Sequence, residues 1–128
     1  MQENHLFEYA VIRVVPRVER EEFINVGVIL YYPKQKFLKA VVTLDERRLS
    51  AFSPDLDIEE IGQNLDAFVR ISEGGDNSGP IGKLDAASRF RWLTATRSTV
   101  VQASRVHPGF SCVYALETLN RLHEQLVL

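Results

Sequence analysis

The order of elements in this chain predicts an α+β protein: a mainly antiparallel sheet of about four strands with helices packed against it. Two observations carry the prediction. Strand patterns cluster in the first third of the chain, and helical patterns fill most of the rest. The second and third strands are joined only by Pro33-Lys34-Gln35-Lys36, which suits an antiparallel hairpin.

Phe7 to Val15 alternates, with Phe7, Tyr9, Val11 and Val15 on one face beside Arg13, and Ala10, Ile12 and Val14 on the other. Pro16 ends it, because proline cannot donate to the ladder. A charged connection, Arg17 to Glu22, leads to the longest apolar run, Phe23 to Tyr32. That run is apolar on both faces, so it belongs in the middle of a sheet covered on both sides, by helices or by a partner. Gly27 within it signals a bulge or the close approach of another backbone. Phe37 to Leu44 is the third strand.

Asp45 is placed to cap a short helix over Glu46 to Phe52, with Leu49 and Phe52 facing inward. Asp57 and Glu60 have capping-box spacing, and Ile58, Ile61, Leu65, Phe68 and Val69 follow at helical intervals. Gly74 to Gly82 is rich in glycine and short polar residues and reads as a loop. Asp85 opens another helix through Phe90 and Leu93, with Trp92 off its stripe. Thr99 to Ser104 is the fourth strand, and Arg105 to Gly109 reads as a turn. A last helix runs from about Cys112 to Val127, with Val113, Leu116, Leu119, Leu122 and Leu126 as its apolar stripe.

At 128 residues the chain is expected to form one domain, able to bury roughly two-thirds of its unfolded surface. A net charge of −2 gives no general attraction for nucleic acid or acidic membranes. The single cysteine rules out an intrachain disulfide and suits a reducing cytoplasm. No signal-type segment or membrane-length apolar run is present, and no cofactor motif is found.

Four groups of residues offer chemistry. The loop amides of Gly79 and Gly82 can cradle an anion, although Gly79-Pro80-Ile81-Gly82-Lys83 is not a Walker loop. Arg97, Ser98, Gln102, Arg105 and His107 lie on or after the fourth strand, and such residues bind anions with bidentate geometry. If that strand runs back beside the preceding helix, Gly79, Gly82, Gln102 and Arg105 form an anion site, with Arg97, Ser98, His107 and Asn25 as supports. The plain alternatives are a flexible turn and an edge strand with a solvated face. His5, His107 and His123 lack metal-ligand spacing, so no metal site is expected. Cys112 with His107 allows a thiol–base pair, against which a small buried capping residue is the simpler expectation. Arg20, Glu21, Glu22 and Asn25 could anchor a ligand at the mouth of the central strand, or form a solvated loop.

Tyr9-Ala10-Val11-Ile12-Arg13, then Arg20-Glu21-Glu22-Phe23-Ile24-Asn25-Val26-Gly27-Val28, resembles the opening of a bacterial family, domain of unknown function 3037. Leu44 to Leu49, Gly79 to Gly82, Arg89 to Leu93, Arg97 to Gln102 and His107-Pro108-Gly109 continue the likeness. One departure stands out: the family has an acidic Asp-Pro pair before the last helix, where this chain has Ser111-Cys112-Val113-Tyr114. The resemblance brings no activity. It implies a genomic neighbourhood with HipA-like kinases, hence an accessory role. The expectation is a non-catalytic cytoplasmic protein that binds a protein partner or itself. The rival expectation is an enzyme or ligand-binding domain for a phosphate-containing or nucleic-acid substrate, built on Arg97, Ser98, Gln102, Arg105 and His107.

Overall fold

Apolar alternation produces the first three strands where the sequence places them: β1 (His5–Val14), β2 (Ile24–Tyr32) and β3 (Phe37–Val42). The computed structural model describes residues 4–95 and 99–128. Within these, five antiparallel strands form one sheet with five helices packed against it, an α+β fold. β1 is central. β2 and then β3 lie to one side, while β4 (Val101–Ala103) and β5 (His107–Ser111) share the other. β5 pairs with the first half of β1, from His5 to Tyr9, and β4 with its last three residues, Ile12 to Val14.

The helices follow their caps. Asp45, Asp57 and Asp85 each accept a hydrogen bond from a backbone N–H three residues on, opening α1 (Glu46–Phe52), α2 (Ile58–Glu73) and α4 (Ala86–Thr94). A four-residue helix, α3 (Gly79–Gly82), lies within the glycine-rich stretch, and α5 (Ala115–Leu126) ends the fold.

Two expectations are corrected. The segment read as a turn at His107 to Gly109 is most of a fifth strand; Pro108 is tolerated because β5 lies at the sheet edge. Helices cover both faces, as the two-sided apolar run of β2 implies. On one face Leu49 of α1, Ile61, Leu65 and Phe68 of α2, and Phe90 and Leu93 of α4 bury Ala10, Ile12, Val14, Ile24, Val26 and Ile29. On the other, Ala115, Leu119 and Leu122 of α5 bury Phe7, Val28, Leu30 and Tyr32. Phe52 and Leu116, expected inside, are substantially exposed.

The switch between faces has a local cause. Val26 and Val28 are two residues apart yet face opposite layers. The β1–β2 register runs Ile12 to Gly27 and then Arg13 to Asn25, so Val26 is an extra residue on β2. Such a bulge inverts the alternation beyond it. Glycine is required beside it: a Cβ on Gly27 would stand 2.6 Å from the Val41 carbonyl oxygen and 2.7 Å from Val42 Cγ1.

Polar contacts fix the layers. Thr43 Oγ1 lies 2.9 Å from His123 Nε2, Arg48 donates to the Val127 carbonyl, and the Tyr32 hydroxyl donates to the Ser111 carbonyl at 2.7 Å. The outer edge of β3 is closed by a helix serine: the Ala40 N–H donates to Ser72 Oγ, which donates to the Val69 carbonyl. This blunts an edge that would otherwise template another strand.

Candidate functional site

The bulge also builds a cleft. Alternation turns Arg13 away from the layer that receives Ile12 and Val14, and Asn25 away from the layer that receives Ile24 and Val26. Both therefore stand on the α5 face. β4 adds Gln102 directly opposite Arg13. The β1–β2 connection returns with Glu21 in a left-handed conformation, φ 58°, uncommon for a side chain of this kind, and brings Phe23 alongside. Arg13, Val15, Glu21, Phe23 and Gln102 line an open cavity of about 330 Å³.

Arg13 dominates its electrostatics. The guanidinium carbon lies 3.9 Å from the centre of the Phe23 ring, a cation–π contact. Among the described residues its buried Nε has no hydrogen-bond partner, and neither has Asn25 Oδ1. Burial pulls the Arg13 pKa below its ordinary value. Arg13 has no carboxylate partner among the described residues, where the ion pair found is the exposed Arg20–Glu22 contact at 2.9 Å. A half-buried cation without an ion-pair partner is costly to keep, and such groups recur at recognition sites.

The residues expected to hold an anion are distributed as follows. Gly79 and Gly82 form the short α3 in the segment after α2, where the Gly82 carbonyl accepts from Gly75 N–H and Gly82 packs against the Ser78 side chain. Gln102 instead lines the Arg13 cleft and donates to the Thr99 carbonyl. Arg105 is exposed, and its carbonyl accepts from Ser104 Oγ. His107 sits on β5 with its ring 5.3 Å from that of Tyr9. Asn25 donates through Nδ2 to the Leu126 carbonyl at the end of α5. Arg97 and Ser98 lie outside the described residues. Gln102 and Asn25 are thus gathered around Arg13, which the sequence reading passed over. Its signal was present: Arg13 is the one charged residue on an otherwise apolar strand face.

Cys112 is a free, exposed thiol rather than a buried cap, and Tyr114 holds the N-cap position of α5. His123 is buried, and burial lowers its pKa. No group of three or more His, Cys, Asp or Glu side chains able to hold a metal occurs among the described residues. None of the described helices is long and apolar enough to cross a membrane.

The opposite end of the sheet is different in kind. Leu6 and Phe110 are cross-strand partners on β1 and β5, 48% and 69% exposed. Tyr114, three residues beyond the end of β5, is 76% exposed. Single exposed apolar side chains are ordinary, but a large aromatic held against an exposed leucine at a sheet edge is less so.

These features define a small α+β protein with both sheet faces covered, a cleft around Arg13 at one sheet end and exposed apolar side chains at the other. It belongs to the family described as Protein of unknown function (DUF3037), whose model matches residues 9–127. No curated protein and no solved structure matches the chain.

Proposed function

We propose that this chain is a non-catalytic accessory protein of the cytoplasm that binds a protein partner through the apolar end of its sheet. The observation that supports this is the exposure of Phe110 and its cross-strand partner Leu6, with Tyr114 exposed three residues beyond β5. Large, rigid aromatics anchor interfaces because they bury much area at little entropic cost. The two apolar faces of β2 no longer argue for a partner, since the chain's own helices cover them. A HipA-like kinase is the partner class that the family resemblance implies, and self-association is the other arrangement of the same surface.

Copurification from the native host with mass spectrometry tests the reading. A recurrent partner should be recovered with the wild-type chain and weakened by at least about tenfold in a Phe110→Ser, Tyr114→Ser variant, as for interface anchors. Repeated recovery of an isolated monomer, or full retention of the partner by the variant, would count against it.

A further inference from the structure

We infer that the Arg13 cleft is a binding site for a small carboxylate carrying an N–H donor close to the carboxyl group, as in a peptide C-terminus or a free α-amino acid. This inference does not depend on the partner surface at the other end of the sheet.

The cleft selects by shape first. Phe23 lies against the Arg13 guanidinium, 3.9 Å from ring centre to guanidinium carbon, so a ligand meets the group on the side that Phe23 leaves open. The edge of a guanidinium is a planar fork of N–H donors that matches the two oxygens of a carboxylate. The cavity, about 330 Å³, lies at the small end of the range for ligand sites, about 300–1,000 Å³. It has room for a ligand the size of an amino acid or a peptide terminus.

Charge selects next. Among the described residues the lining contains one basic residue, Arg13, and one acidic residue, Glu21. A singly charged carboxylate is neutralised by Arg13. A phosphate dianion would keep a surplus negative charge beside Glu21. An ionised Glu21 only accepts hydrogen bonds, so it rewards a ligand that brings an N–H and penalises one that brings further oxygens. Gln102, held opposite Arg13 by the β1–β4 pairing, closes the third side.

The test is a titration of the isotopically labelled full chain at constant ionic strength, following the Arg13 side-chain Nε–H and the Gln102 side-chain amide by NMR. The probes are N-acetylglycine for a peptide terminus, glycine for a free amino acid, N-acetylglycinamide as the uncharged control, and inorganic phosphate. N-acetylglycine or glycine should give a saturable shift in the millimolar range, and which of the two binds tighter identifies the source. N-acetylglycinamide and phosphate should bind at least about tenfold more weakly, the scale of losing or misplacing a charge-assisted hydrogen bond. Arg13→Lys keeps the charge and loses the fork, and should weaken the preferred probe. Equal or tighter binding of phosphate, equal binding of the uncharged amide, or no saturable shift at either side chain overturns the inference. The wild-type titration alone decides these outcomes, whether or not the variant folds. A failed titration with a recovered partner would leave the apolar surface standing, and the converse would leave the cleft.

Discussion

The two ends of the β1–β2 ladder are made from the same two strands and differ in almost every respect. At the end where β1 begins, the strands run in unbroken register, and Leu6 of β1 and its partner Phe110 on the edge strand β5 are left to solvent. At the end where β1 finishes, one extra residue at Val26 inverts β2, so that Asn25 joins Arg13 and Gln102 on one face. The lesson is that one inserted residue changes both the layer a strand serves and the chemistry it presents. Without the bulge, strict alternation would set Val26 and Val28 on one face, and one of the two helical layers would lose its contact with β2.

The comparison can be broken most severely through α5, which covers both ends. Leu119 is buried against the layer of Val28 and Leu30. Leu119→Ala should cost about 2–5 kcal/mol in chemical denaturation, and an unchanged midpoint would show that α5 is not part of the core. Gly27→Ala attacks the bulged end alone. Its Cβ meets backbone from the neighbouring strand, so the ladder must shift, at a cost of about 1–3 kcal/mol. Tyr32→Phe attacks the other end by leaving the buried Ser111 carbonyl without its 2.7 Å donor. The expected loss is about 1–2 kcal/mol, measured the same way.

Much of this was legible in the chain. Asp45, Asp57 and Asp85 announce their helices because a carboxylate three residues before a free N–H is a local device. Gly27 announced an irregularity, and the two-sided apolar run at Phe23 to Tyr32 announced a doubly covered sheet. The parts that were not legible depend on distant pairing. β5 hid behind Pro108 and Gly109, which read as a turn until β1 supplies a partner about 100 residues earlier in the chain. Leu116 shares the spacing of Leu119 and Leu122, but the first turn of α5 buries Ala115 and Thr118 instead and leaves Leu116 on the flank of the buried stripe. The cleft draws on residues 13, 21, 23 and 102, and no local pattern joins them.

A smaller effect follows from His123, whose folded pKa lies below its ordinary value of 6.5 because burial disfavours the imidazolium. Its unfolded form therefore binds more protons between the two values. Stability should be unaffected by this group above about pH 6.5 and should fall as the pH drops from there towards the folded pKa. His123→Gln should flatten that part of the pH–stability curve. The smallest effect belongs to the apolar end: Phe110→Ser should change folding stability by less than about 0.5 kcal/mol, since its side chain is 69% exposed. A larger loss would show that Phe110 serves the fold rather than a surface.

The inversion of β2 at Val26 is what separates the two ends, and methyl NOE spectroscopy on the full chain tests it most directly. The Val26 methyls should show contacts with the layer that contains Ile61, Leu65 and Phe68, and the Val28 methyls with the layer that contains Leu119 and Leu122. Val26 and Val28 contacting the same helix would mean that the strand alternates without a bulge, and the account of the cleft would fall with it.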